Sequence, residues 1–254
     1  MIDIHNHIIP GVDDGPKIDI ETIMLLKQAK KEGVTGIIAT PHHLHTRYSN
    51  DFDEVIKSIE ELNQHEEIKA LDVNIYPGQE IRITDQIITG IEVGTIKGLN
   101  HSKYLLIEFP SNEVPHYTKQ LFFEIQSKGF IPVIAHPERN KAIIQDVEIL
   151  YDLINAGALS QITSTSLTGV LGKKLQSFSI QLLENNLTHF ISSDAHNTEE
   201  RPFIMQSLFN NKKLNRVEDE MNQCIFNAEK LIADQNVVKN VPSMPKKNKF
   251  WLFR

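Results

Sequence analysis

Histidines and carboxylates recur just past short apolar runs in this chain, and both residue types bind divalent cations. Met1-Ile2-Asp3-Ile4 runs into His5-Asn6-His7, and Gly36-Ile37-Ile38-Ala39-Thr40 runs into Pro41-His42. Val73-Asn74-Ile75-Tyr76 leads to Gln79-Glu80, and Tyr104-Leu105-Leu106-Ile107 to Glu108. Pro132-Val133-Ile134-Ala135 ends on His136, and Phe190-Ile191-Ser192-Ser193 on Asp194-Ala195-His196. A His-x-His pair on an extended strand places both imidazoles on one side, because side chains alternate with period two. With Asp14 added, the candidate ligands are His5, His7, Asp14, His42, Glu80, Glu108, His136, Asp194 and His196. A mixed imidazole and carboxylate set suits Mn²⁺, Fe²⁺ or Zn²⁺, and so many ligands exceed one ion and suffice for two or three. The competing reading, satisfied polar groups without metal, is the weaker one, because buried charges need partners. Asp13 competes with Asp14 as a turn residue. His43 and His45 read as exposed loop histidines, one of them within reach of substrate. His65, His101, His116 and His189 read as surface or structural, and Glu138 as a neighbour of the ligand shell.

The elements that must position these residues alternate. Helical spacing marks about Asp19–Glu32 (stopped by Gly33), Phe52–Glu67, His116–Lys128 (closed by Gly129), Asp146–Ala156 and Val170–Glu184. Two last helices fall near Pro202–Phe209 and Val217–Asp234, and residues 81–102, interrupted by Gly90, Gly94 and Gly98, follow no regular period. Strands cover the apolar runs above together with Leu159–Thr163, which leads into Ser164-Thr165-Ser166. Short β-rich runs separated by helices predict parallel strands, and about seven β/α units favour a distorted (β/α)7 TIM-like barrel over an open sheet. In such a barrel the carboxyl ends of all strands share one face, so distant residues converge there.

The chain of 254 residues, 40% hydrophobic and 23% charged, has the size and composition of one large α/β domain. A formal net charge of −7 argues against a nucleic-acid-binding surface. A single cysteine, Cys224, excludes a disulfide framework, and an N-terminus that is already a strand shows no secretory signal, so the expected location is cytoplasmic. No apolar run approaches a membrane span. The expected domain covers residues 1–238. Residues 239–254 form a separate tail, with Lys246, Lys247 and Lys249 before Phe250-Trp251-Leu252-Phe253-Arg254. It reads as a frayed end or as a basic aromatic segment that touches an acidic membrane surface or a partner.

The run from Asp3 through Asp14-Gly15, with Thr40-Pro41-His42-His43, Pro77-Gly78-Gln79-Glu80, Ile107-Glu108-Phe109-Pro110, Ala135-His136-Pro137-Glu138-Arg139 and Ser193-Asp194-Ala195-His196, resembles the PHP (polymerase and histidinol phosphatase) superfamily. Within it the chain is similar to the CpsB/CapC family of capsule-associated tyrosine phosphatases, over about residues 1–210. The resemblance implies a PHP-type distorted barrel carrying a trinuclear, usually manganese-dependent site; Fe²⁺, Zn²⁺, Mg²⁺ or Co²⁺ are alternatives. By motif, His5, His7, Glu80 and Asp194 would hold one ion, with Glu80 or Glu108 bridging to a second held by Glu108 and His136. Asp14, His42 and His196 would hold the third. The substrate implied is the phosphorylated tail of a bacterial tyrosine kinase that controls capsule or exopolysaccharide assembly. The run Thr163–Ser166 lacks the glycine expected of relatives.

Phosphomonoester hydrolysis fits this set. Two metals ~3.5–4 Å apart bind a shared hydroxide and clamp phosphoryl oxygens, so no separate strong base is needed. Arginine is the natural fork for the remaining oxygens, and Arg139 and Arg201 follow ligand-bearing strand ends, with Arg47 a third candidate. A phenol leaves with pKa near ~10, so acid assistance from a metal-site water or His42 is helpful but not critical. The segment around Cys224 lacks the glycines and arginine of a phosphate-cradling loop, which excludes a cysteine nucleophile. The alternatives are a histidinol-phosphate phosphatase, an amidohydrolase, disfavoured because Glu80 and Glu108 occupy the middle strands, and a catalytically inert binding module, disfavoured because no ligand position looks lost.

Overall fold

The computed structural model describes residues 1–245. Nine strand segments are present among them: β1 (Ile2–Asn6), β2 (Gly36–Ala39), β3 (His42–His43), β4 (Asn74–Pro77), β5 (Glu80–Arg82), β6 (Tyr104–Glu108), β7 (Ile131–Ala135), β8 (Leu159–Thr163) and β9 (Phe190–Ser192). All pairings are parallel, in the orders β1-β2-β4 and β3-β5-β6-β7-β8-β9. β2 and β3 are one stave broken at Thr40-Pro41, and β4 and β5 one stave broken at Gly78-Gln79, so nine segments make seven staves. Proline at position 41 cannot donate to a ladder, which accounts for the first break. The wall closes between first and last staves, where His7 N donates to Ala195 O at 2.8 Å and Asp194 N to His5 O at 2.9 Å. The expected (β/α)7 barrel is the observed fold, distorted where two staves break.

One buried cluster draws Ile4, Ile38, Leu106, Val133, Leu159 and Phe190 from six different strands. Residues from so many staves meet only inside a closed barrel. The helix Glu218–Ile232 caps its amino-terminal end with Ala228 and Leu231. A larger cluster lies between the outer faces of the strands and the surrounding helices, with Leu25, Leu26, Ile37, Leu105, Ile134 and Leu182 fully buried. Burial of each such side chain contributes roughly 1.5–3 kcal/mol before entropy is counted. The polar ligands at the carboxyl ends therefore rest on an apolar plug and an apolar jacket.

Some helices differ from expectation. The segment read as one helix to Glu67 stops at Leu62, and a second short helix runs from Glu66 to Lys69. The capping box of Asp51 and Glu54 fixes the start of the first. Residues 81–102 hold a helix, Ile87–Val93, closed by Gly94 at φ 84°, and a single turn, Leu99–His101. Ser164–Thr168 and Lys141–Gln145 form short helices too brief to show a period. The start of the presumed tail packs onto the barrel: Ser243 N donates to Asn185 O at 3.0 Å and Asn186 Nδ2 to Val241 O at 2.9 Å. The lysines and aromatics of 246–254 lie outside the described residues. Among the described residues, no helix is long and apolar enough to cross a membrane.

His189 illustrates a structural histidine. Its Nδ1 accepts the Ser160 N–H at 3.2 Å, and burial, aided by Lys239, pushes its pKa down to about 3. The unfolded chain therefore takes up a proton near pH 6.5 that the folded chain refuses until pH 3, so stability falls as pH drops through that window. In His189→Asn, whose side-chain oxygen can still accept from Ser160, the pH dependence of unfolding free energy between pH 6 and 4 should be shallower by up to ~1.4 kcal/mol per unit. Denaturant melts at matched pH check this; parallel slopes for parent and variant would refute it.

Candidate active site

At the carboxyl ends of the strands the nine ligand candidates converge into four overlapping groups, each with donor atoms within 4.8 Å of one another. These are His7, Asp14, His42 and His196; His5, His7 and Glu80; His5, His136 and Asp194; and His42, Glu80 and Glu108. Glu80 sits at the middle. Its Oε1 lies 2.8 Å from His136 Nε2 and 3.3 Å from His5 Nε2, and its Oε2 lies 2.8 Å from His42 Nδ1 and 3.4 Å from His7 Nε2. The groups differ in part from those implied by the resemblance. Glu108 gathers with His42 and Glu80 because Arg82 Nε holds its Oε2 at 3.2 Å, while His136 gathers with His5 and Asp194.

Backbone geometry aims these side chains. The β1–β2 register shifts between Asp3 and Asn6, a bulge of the kind that redirects side chains at a strand end. His136 (φ 31°) and Asp194 (φ 53°) adopt left-handed backbone, uncommon for residues with a Cβ and concentrated at functional sites. Gly15 is required by close approach, because a Cβ there would meet His7 O.

A further layer fixes the ring orientations. Asp13 Oδ2 holds His7 Nδ1 at 2.6 Å and accepts the His42 N–H at 3.2 Å, while its Oδ1 accepts the Gly15 N–H at 2.9 Å. The competition between the two aspartates resolves by position: Asp14 joins the donor group and Asp13 stands behind it. His5 Nδ1 pairs with Gln161 Oε1 at 2.8 Å, and His196 Nδ1 with Asp194 O at 3.0 Å. Buried Glu138 uses Oε1 to accept from Thr163 N, Thr163 Oγ1 and Ser166 Oγ. That carboxylate ties the end of β7 to that of β8.

The electrostatics favour charge on most of these groups in spite of their burial. Burial would raise the Glu80 carboxyl, but His5 and His42 hold it well below the usual range. Asp194 is likewise held low against burial by Arg139, His5 and Arg201. Glu108 is raised, by burial and then by the charge on Glu80. Burial opposes charge on the histidines, yet Asp13 brings His7 up to about 9, and Glu80 with Asp14 brings His42 up to about 11. His196 goes the other way, to about 4, through burial and its neighbour His7.

These donors fit divalent cations on a direct observation. Nε2 of His5, His7 and His196 and Oδ1 of Asp194 are buried without an aligned hydrogen bond. Buried polar atoms without partners are rare and costly, and these face one another. Bound cations would satisfy these atoms and replace the protons that the carboxylates otherwise attract.

Beside the cluster lies a cleft of about 260 Å³, lined among others by His42, Glu80, Glu108, His136 and four arginines, Arg47, Arg82, Arg139 and Arg201. Arg139 Nη1 and Arg201 Nη2 each lie 2.7 Å from Asp194 Oδ2, and Arg139 Nε is buried without an aligned partner. Arg82 was missed by sequence reasoning, although a strand position two beyond Glu80 projects to the same side. His45 lines the cleft and stacks on His42 at 4.8 Å, and Tyr48 stacks on His45 at 5.6 Å. His43 is a correction: it is 2% exposed rather than a free loop histidine, because β3 turns it inward toward Ser49. Cys224 is buried in its helix, its thiol pushed up by burial, far from any nucleophile's setting.

The chain matches the family model for capsular polysaccharide synthesis, CpsB/CapC, over residues 1–233. It belongs to the CpsB/CapC family. A putative tyrosine-protein phosphatase CapC of Staphylococcus aureus is 53% identical over 251 residues, spanning 99% of this chain and 98% of its own length. The tyrosine-protein phosphatase YwqE of Bacillus subtilis (strain 168) is 41% identical over 253 residues and the two chains are covered in full. A solved structure, from work on YwqE of Bacillus subtilis and CpsB of Streptococcus pneumoniae as metal-dependent tyrosine phosphatases, superposes with a TM-score of 0.93 at 41% identity, over 98% of this chain and 100% of that one. The barrel of this CpsB/CapC chain is thus the family's barrel, and its ligand candidates all lie within the matched residues.

Proposed function

We propose that this CpsB/CapC chain is a metal-dependent protein-tyrosine phosphatase, with manganese as its resident ion and the phosphotyrosine of a capsule-regulating bacterial tyrosine kinase as its substrate. The observation that carries the reading is the set of buried donor atoms without hydrogen-bond partners beneath a rim of four arginines. The mixed imidazole and carboxylate set suits Mn²⁺, with Fe²⁺, Zn²⁺, Mg²⁺ and Co²⁺ as competitors separated by availability. The relatives named as tyrosine phosphatases support the substrate class.

When bound, the ions supply activated water and charge neutralisation at the phosphoryl group. His5, His7, Asp14, His42, Glu80, Glu108, His136, Asp194 and His196 would hold them, in the overlapping groups described above. Arg139 and Arg201, already anchored on Asp194 Oδ2, present their remaining N–H groups to the phosphoryl oxygens. His42 has both ring nitrogens turned to carboxylates, Nδ1 to Glu80 and Nε2 to Asp14 at 3.4 Å, so it serves as a ligand and not as a proton donor. A phenolate leaving group with pKa near ~10 tolerates that arrangement.

Elemental analysis of the purified protein, followed by paired assays on a phosphotyrosine peptide and histidinol phosphate after reloading with each cation, tests the reading. Faster turnover of the peptide, highest with Mn²⁺, is expected. Preference for histidinol phosphate would transfer the site to a small-molecule phosphatase, and turnover of neither would end the proposal.

Asp13 offers a separate check. A carboxylate behind a ligating imidazole raises its basicity and fixes its tautomer, and its loss typically costs ~10–100-fold in metal affinity. Asp13→Asn should weaken binding of one ion by that amount in a competition titration against a chromophoric chelator. Unchanged affinity would mean that Asp13 only shapes the turn.

A further inference from the structure

A second groove, of about 470 Å³, adjoins the arginine-lined cleft at Asp14, which lines both. Its walls include Glu21, Met24, His196, Glu199 and Glu200. Every charged side chain lining it is acidic, whereas the neighbouring cleft sets Arg47, Arg82, Arg139 and Arg201 against the carboxylates of Asp14, Glu80 and Glu108. The groove is therefore the more acidic of the two spaces that meet at Asp14. Glu21 Oε2 accepts the backbone N–H of Lys17 at 2.6 Å, and the Lys17 ammonium is turned away to Asp13 O at 2.6 Å, so no lysine neutralises the groove from that side. Asn197 Oδ1 accepts the N–H groups of Glu199 and Glu200 at 3.0 Å and 2.7 Å, which holds their exposed side chains along the rim. Met24, 50% exposed, adds an apolar surface of the kind on which the methylene stem of a lysine or arginine lies.

We propose that this groove selects phosphotyrosine peptides carrying lysine or arginine within a few residues of the phosphotyrosine. The proposal rests on the phosphatase reading and adds the substrate's charge pattern to it. With the phosphoryl group under the arginines, the chain on one side of the tyrosine passes Asp14 into the groove, where a basic side chain meets Glu21, Glu199 and Glu200. Exposed pairs are individually weak and screened by salt, so the selection amounts to several-fold and fades as ionic strength rises.

The test uses two phosphotyrosine peptides of identical composition, one with lysines flanking the phosphotyrosine on both sides and glutamates at its ends, the other with these exchanged. Equal net charge removes general attraction to an acidic protein from the comparison. The metal-loaded full chain should favour the lysine-flanked peptide in kcat/KM by about 5-fold or more at low salt, and less at high salt. In the double variant Glu199→Lys with Glu200→Lys the ratio should fall to one or below, and in Glu199→Gln with Glu200→Gln to an intermediate value. The ratio within one protein cancels differences in metal loading or folded fraction, and the glutamine pair serves if the lysine pair fails to fold. A parent that hydrolyses free phosphotyrosine but both peptides equally, or variants that keep the parent's ratio, would overturn the groove proposal alone. A parent inactive on free phosphotyrosine and on both peptides would overturn the phosphatase reading with it.

Discussion

Glu80→Gln should lower kcat on a phosphotyrosine peptide by roughly 10³-fold or more while leaving the barrel folded. The substitution keeps the shape of the side chain and removes the one carboxylate that approaches four histidines, His5, His7, His42 and His136, within 2.8–3.4 Å. Without its charge the two donor groups that include Glu80 lose the carboxylate they share, and bound metal should fall by at least one ion per chain. Circular dichroism and thermal melts report on the fold, elemental analysis on the metal and steady-state assays on turnover. Folding should be spared for a physical reason. Glu80 sits at the carboxyl ends of the strands, above the apolar core that holds the staves together, and His5 and His42, no longer facing its charge, can shed their protons. A variant that retains its ions and its rate would sink the shared-cluster account.

Arg139→Ala should reduce kcat/KM by roughly 10²-fold, the scale of losing one preorganised donor to a transition-state oxygen. Metal content should not change, because Arg201 still holds Asp194 Oδ2 at 2.7 Å. Arg139→Lys should recover little, since an ammonium cannot fork between Asp194 and a phosphoryl oxygen as a guanidinium does. Unaltered kinetics in the alanine variant would remove Arg139 from phosphate handling. A loss of activity matched by loss of metal would make it a support for Asp194 instead.

Much of the site was legible because a parallel barrel turns a one-dimensional regularity, the residue type at each strand's end, into a three-dimensional one. His5, His42, Glu80, Glu108, His136 and Asp194 follow apolar runs separated by helices, and in the structure they meet. What stayed hidden depends on contacts across the chain. Asp13 and Asp14 are adjacent and chemically identical, and only the position of His7 Nδ1, 2.6 Å from Asp13, separates their roles. The pull of Arg82 on Glu108 depends on the pairing of β5 with β6, where Arg82 lies opposite Glu108. His43 looked exposed because the two-residue strand that buries it is too short to leave a period. The seven staves were countable, but their two interruptions were not, because a broken stave reads locally as a strand followed by a loop.

The left-handed backbone at His136 and Asp194 has a bearing on how such barrels change under selection. Conformations of that kind cost of order 1–3 kcal/mol each, and glycine, or to a lesser degree asparagine, relieves the cost. Glycine at either place would nonetheless strip Glu80 or the two arginines of a buried partner, a loss larger than the strain it eases. The strained pair is thereby locked in by its own charges, and a lineage under selection for heat tolerance has to look elsewhere in the barrel.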